Sequence, residues 1–91
     1  MVLHEEDQGI LKNEKYLKLQ AAVDVANDQE HRLKLIGTFF KDTGRNTAQN
    51  MSLVATCLSK AGVLPEETYF KLHSLIITGL ATNPKYWVDN A

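Results

Sequence analysis

The sequence predicts an all-α fold: a compact bundle of about four helices, arranged as two helical hairpins, behind a short acidic N-terminal tail. Three observations carry that prediction. Apolar residues recur at helical spacing, most clearly Met51, Val54, Ala55, Leu58 and Ala61. No stretch alternates apolar and polar residues with period two for more than five residues, so no strand is required. Capping and stop residues punctuate the chain between the apolar runs.

Residues 1–9 (MVLHEEDQG) are acidic and unpatterned and form the expected tail, leaving residues 10–91 as one helical domain. The first helix is expected from about Ile10 to Ala26, a stretch rich in Leu, Lys, Gln and Ala. Six polar residues, Asn27 to Arg32, then interrupt the pattern. Asn27 or Asp28 caps the second helix, with Glu30 three residues after Asn27 in capping-box spacing. That helix passes Phe40 and stops near Asp42, where Gly44 supplies a C-terminal cap. Asn46 or Thr47 opens the third helix, and Gly62 closes it. Pro65 at the first helical position, followed by Glu66 and Glu67 at the positive end of the dipole, opens the fourth. It is expected to run to about Leu80, with Asn83-Pro84 as a stop.

Composition narrows the function. Ten Lys+Arg against eleven Asp+Glu give a net charge of −1, which excludes a polyanion-coating basic protein; without Glu5, Glu6 and Asp7 the body carries +2. The single Cys57 closes no intramolecular disulfide. No signal peptide is expected in MVLHEEDQG, and no uninterrupted apolar run exceeds three residues, as in Leu75-Ile76-Ile77. A reducing, cytoplasmic setting is the expectation, with no membrane partner.

The distribution of apolar residues matters more than their 44% share. On a helical wheel Leu11, Tyr16, Leu19, Ala22, Val23 and Ala26 share one side of the first helix, with Ile10, Leu17, Ala21 and Val25 opposite. In the second, Leu33, Ile36, Gly37 and Phe40 line one face while Leu35 and Phe39 point nearly the other way. The fourth keeps only a narrow polar stripe of Glu67, Lys71, Ser74 and Thr78. A bundle helix normally buries one stripe. Two explanations compete: irregular packing around one central helix, with Tyr86-Trp87 covering an open end, or a second interface with another chain. Exposing Leu35, Phe39, Phe70 and Ile77 would forfeit roughly 1.5–3 kcal/mol each, which favours association. The expected interface is Leu35, Phe39, Tyr69, Phe70, His73, Ile77, Tyr86 and Trp87. Trp87 reads either as a cover folded back on the bundle or as an anchor in a partner's groove.

Chemistry-bearing motifs are sparse. Lys12, Lys15 and Lys18 read as a solvated face. His31, three residues after Asp28, resembles half of a carboxylate–histidine metal site, but a di-metal bundle needs a second such pair. His73 suits a hydrogen-bonded core or interface better than a ligand. Cys57 reads as a small packed hydrophobe, since no base or orienting group lies nearby in the chain. Neither a phosphate loop nor a hydrolase motif appears, so no cofactor, metal or catalytic residue is expected.

A nucleic-acid reading competes. Residues 43–63 contain no acid, and Arg45 and Lys60 bracket a third helix whose outer side offers Asn46, Gln49 and Asn50. Thr43-Gly44-Arg45-Asn46 is a short glycine-containing turn, as in a helix-turn-helix. Against it, Phe40 is large where helices cross closely, Asn50 is polar where a buried aliphatic is expected, and two cations are few. The expected function is a small non-enzymatic protein–protein interaction module, a regulator, inhibitor or adaptor acting sterically as a homodimer. The alternative is a dimeric helix-turn-helix DNA-binding regulator that presents residues 46–60.

Overall fold

The structure, a computed structural model, describes residues 9–89. The expected tail therefore lies outside the described residues except for Gly9. After a helical turn at residues 9–11 come α1 (Glu14–Val25), α2 (Gln29–Thr43), α3 (Ala48–Lys60), α4 (Glu66–Ile77) and the short α5 (Pro84–Asp89). The described residues form an all-α bundle without a strand, and none of its helices is long and apolar enough to cross a membrane.

Local hydrogen bonding decides where each helix begins. The first helix is not continuous from Ile10. Asn13 takes an extended conformation, and its side chain accepts the Tyr16 backbone N–H at 3.0 Å, so α1 starts at Glu14. The break turns Ile10 into the core, whereas an unbroken helix would have left it outside with Leu17. Asp28, not Asn27, caps α2 by accepting the His31 N–H at 2.8 Å. Arg32 reaches back from α2 and donates from Nη2 to the Ala26 carbonyl at 3.1 Å, satisfying the end of α1. Gly44 closes α2 at φ 69°, and the Arg45 N–H bonds to the Phe40 carbonyl at 3.0 Å, a Schellman-type ending. Thr47 caps α3 through the Asn50 N–H at 3.2 Å. Ala61 falls at the C-cap of α3 and is exposed, one step beyond the inward row that its spacing predicts.

Pro65 sits at the N-cap of α4, one residue before the helix proper. The helix ends at Ile77, three residues short of Leu80, where the Thr78 hydroxyl donates to the Ser74 carbonyl at 2.9 Å. Asn83-Pro84 is not a stop. The Asn83 side chain accepts the Lys85 N–H at 3.0 Å, and the proline becomes the first residue of α5.

Packing then joins α1 to α2 and α3 to α4 as two hairpins, with α2 laid against α4 and α5 as well. Helix α2 is the central element, and the expectation for Phe39 is corrected accordingly. Phe39 does not face outward; it is only 6% exposed, edge-on to Tyr16 at 6.4 Å and tilted against Phe40 at 6.4 Å. Leu35 is half-buried against the same core. Both sides of α2 are covered because α1 closes one and α4 with α5 closes the other. Gly37 makes the second closure possible. Trp87 of α5 lies directly over it, within the space that a Cβ would occupy.

The core holds polar atoms without partners. The Tyr16 hydroxyl and Thr68 Oγ1 are both buried and unpaired, and Cys57 is buried with them in the interior. Burial, with a smaller contribution from the neighbouring Cys57 thiol, pushes the Tyr16 phenol up to about 12.

Two outcomes follow from these contacts. Gly37→Ala should expel the Trp87 ring, lowering stability by about 1–3 kcal/mol and red-shifting the emission of the chain's single tryptophan, as read by fluorescence during urea unfolding. Tyr16→Phe should stabilise the fold by about 1 kcal/mol, because it removes a buried hydroxyl that makes no bond. With its folded-state pKa raised above the unfolded value, Tyr16 also costs stability as pH rises from about 10 to about 12. The Tyr16→Phe chain should lose less stability over that window in parallel urea titrations.

Candidate interaction surface

Helix α4 buries Thr68, Leu72, Leu75 and Ile76 against the bundle. At 100° per residue these four define one side, and the opposite side carries Phe70, His73, Ser74 and Ile77. Phe70 is 58% exposed and Ile77 69% exposed, and Leu80 just beyond the helix end is 47% exposed. The strip is locally ordered. Tyr69, half-buried at its edge, packs edge-to-face with Phe70 at 6.0 Å and stacks parallel to the exposed His73 ring at 6.0 Å. The nearest charges on the helix, Glu66, Glu67 and Lys71, lie at its N-terminal end and on one flank. An uncharged aromatic–aliphatic face opposite a filled core is the surface feature that most resembles the centre of a binding site.

A second apolar group, Leu17 and Val25 on the outside of α1, is also exposed, but Glu14 and Asp24 share its side of the helix. That mixture is ordinary solvent-facing surface. Among the other expected interface residues, Tyr86 and Trp87 are half-buried within the chain itself. The Trp87 indole N–H donates to the Ala81 carbonyl at 2.7 Å, and the ring meets Phe40 edge-on at 6.1 Å and Tyr86 at 4.9 Å. Of the two roles open to Trp87, the contacts within the chain are those of a cover.

Docking α5 leaves a groove of about 890 Å³ between α2, α5 and Lys71 of α4. Leu33, Gly37, Tyr86 and Trp87 line it together with Lys34 and Lys41, while Glu30 and Asp42 add opposite charge. Sequence patterning did not anticipate this groove. Its one signal is Gly37, a glycine in the interior of an otherwise strong helix, which marks a close approach by another group.

Of the residues of the nucleic-acid reading, Arg45, Asn46, Gln49 and Asn50 gather at the start of α3, and Lys60 stands apart at its far end. Asn46, Gln49 and Lys60 are exposed, Asn50 is half-buried, and Arg45 is half-buried with its Nε enclosed and unpaired. Arg45 and Lys60 lie beyond and at opposite ends of α3, roughly 20 Å apart at 1.5 Å per residue. The Asp28 carboxylate of the Asp28–His31 pair is committed to capping α2. Among the described residues, no group of three or more His, Cys, Asp and Glu side chains comes together as a metal site would require. Comparison with models of known families, with curated proteins and with solved structures finds no match to this chain.

Proposed function

We propose that the chain is a small non-enzymatic protein–protein interaction module that acts sterically, as a regulator, inhibitor or adaptor, through the outward face of α4. The observation that carries this reading is the exposure of Phe70 and Ile77 directly opposite a completed core. Their exposure is not incomplete folding, because α4 already presents another full side to the bundle. Each of these side chains gains roughly 1.5–3 kcal/mol on burial, and only another surface can provide it. His73, Ser74 and Tyr69 surround them with groups that set orientation, as the polar border of an interface does.

The DNA-binding alternative draws on Arg45 and Lys60, and two cations so far apart supply little of the phosphate neutralisation that even non-specific binding needs. Self-association and partner capture are therefore the properties to measure. The doubly charged variant Phe70→Asp/Ile77→Asp should keep wild-type helicity and urea stability to within about 0.5 kcal/mol, since both sites face solvent. The wild type should melt at a temperature that rises with its concentration and, immobilised, should retain proteins from nuclease-treated extract; the variant should do neither, its stability matching the wild type's at high dilution. Retention of random duplex DNA at low salt, unaffected by the two substitutions, would replace this reading with the DNA-binding one.

A further inference from the structure

We infer that the groove between α2 and α5 is a binding site for a small aromatic anion, a planar ring carrying a phosphate group as a mononucleotide does. The site is separate from the outward face of α4 and shares none of Phe70, His73 and Ile77 with it. Its volume of about 890 Å³ falls in the range of small-molecule sites, and it has their make-up, aromatic walls with a few convergent polar groups.

The place for the ring is a corner formed by Tyr86 and Trp87. Their ring centroids are 4.9 Å apart and their planes nearly perpendicular, at 85°, so a planar group can lie flat on one and edge-on to the other. The corner is fixed in advance. The Trp87 indole N–H is held by the Ala81 carbonyl and its ring is seated over Gly37, so binding has little left to order.

The place for the phosphate is the basic centre beside that corner. Lys34, Thr38 and Lys41 stand at i, i+4 and i+7, within about 60° of one another on α2, and Lys71 joins them from α4. Among the described residues, no salt bridge joins any of these three lysines to a carboxylate. Lys34 and Lys41 are about 10 Å apart along the axis, on long flexible stems that let both ammonium groups meet one phosphate at the level of Thr38. The two acids of the groove lie outside this centre. Glu30 is one turn nearer the start of α2, about 16 Å along the axis from Lys41, and Asp42 lies round the helix beyond Thr38. Three ammonium groups against two carboxylates leave the groove positive in a chain whose net charge is −1. Three cations gathered within two helical turns suit a single phosphate group, not the roughly six to ten phosphates that a duplex presents in a line.

Trp87 is the chain's single tryptophan, so its emission reports on the site directly. Adenosine monophosphate should quench it saturably, with a dissociation constant of roughly 0.1–1 mM. Adenosine, which lacks the phosphate, should bind about tenfold more weakly, and inorganic phosphate, which lacks the ring, should leave the emission unchanged. Raising the salt concentration from about 50 to about 500 mM should weaken the nucleotide severalfold, a test that needs no variant. Lys34→Gln/Lys41→Gln should weaken it about tenfold and Lys71→Gln about threefold, with urea stability unchanged because all three side chains are exposed. Lys15→Gln/Lys18→Gln, which removes the same charge from the outside of α1, should bind as the wild type does. Absence of saturable quenching by the nucleotide up to about 10 mM would overturn the site. Equal weakening by the α1 pair would overturn the groove as its location. Adenosine binding as tightly as its phosphate would overturn the anion, and quenching by inorganic phosphate alone would overturn the ring.

Discussion

Covering α2 on both sides is the constraint from which the arrangement of the other helices follows. Its apolar residues, from Leu33 to Phe40, spread over more than half of the helix circumference, so no single neighbour can bury them. Tyr16 of α1 closes one side by meeting Phe39 edge-on. The other side needs a flat, large group that can approach the backbone, and Trp87 reaches it only because residue 37 has no side chain. The indole bond to the Ala81 carbonyl holds the ring there, which ties the end of α4 and the whole of α5 to the middle of α2. One glycine and one tryptophan thus set the position of the C-terminal segment.

This solution consumes the C-terminal aromatics and leaves α4 with one side uncovered. Helices α1 and α3 act as covers and need a single inward stripe each, and their outer sides are mixed or polar. Helix α4 is different. It lies against α3 and α2 through Thr68, Leu72, Leu75 and Ile76, yet carries Phe70 and Ile77 on the far side. The apolar surplus visible in the sequence therefore divides in two. The part on α2 is absorbed by internal packing, and the part on α4 remains as surface. A small bundle has too little volume to absorb both.

The interior shows a related compromise. Tyr16 and Thr68 are fully buried, and neither hydroxyl has a partner. The tyrosine ring is needed to close α2, and its hydroxyl is carried inward with it, beside Cys57. Ring burial outweighs the desolvation of one phenol, since a large aromatic side chain removes far more apolar surface from water than one hydroxyl costs.

Much of the fold is legible in the amino-acid sequence. The four long helices and their order, the caps Asp28 and Thr47, and the stops Gly44 and Gly62 are set by groups within a few residues of one another, and such local hydrogen bonds and dihedral preferences are written in the chain. Phe70, His73 and Ile77 are likewise recognisable as outward groups of α4, because a wheel needs only helix geometry. Ile10 and Phe39 are not. The Asn13 break changes the direction of the chain ahead of α1, and a residue on the second side of α2 is exposed or buried according to what lies beside it. By itself, then, the sequence determined the helices, most of their ends and their apolar faces. Only the tertiary structure decided which helix is central and which apolar face stays uncovered, because burial belongs to pairs of elements brought together from distant parts of the chain.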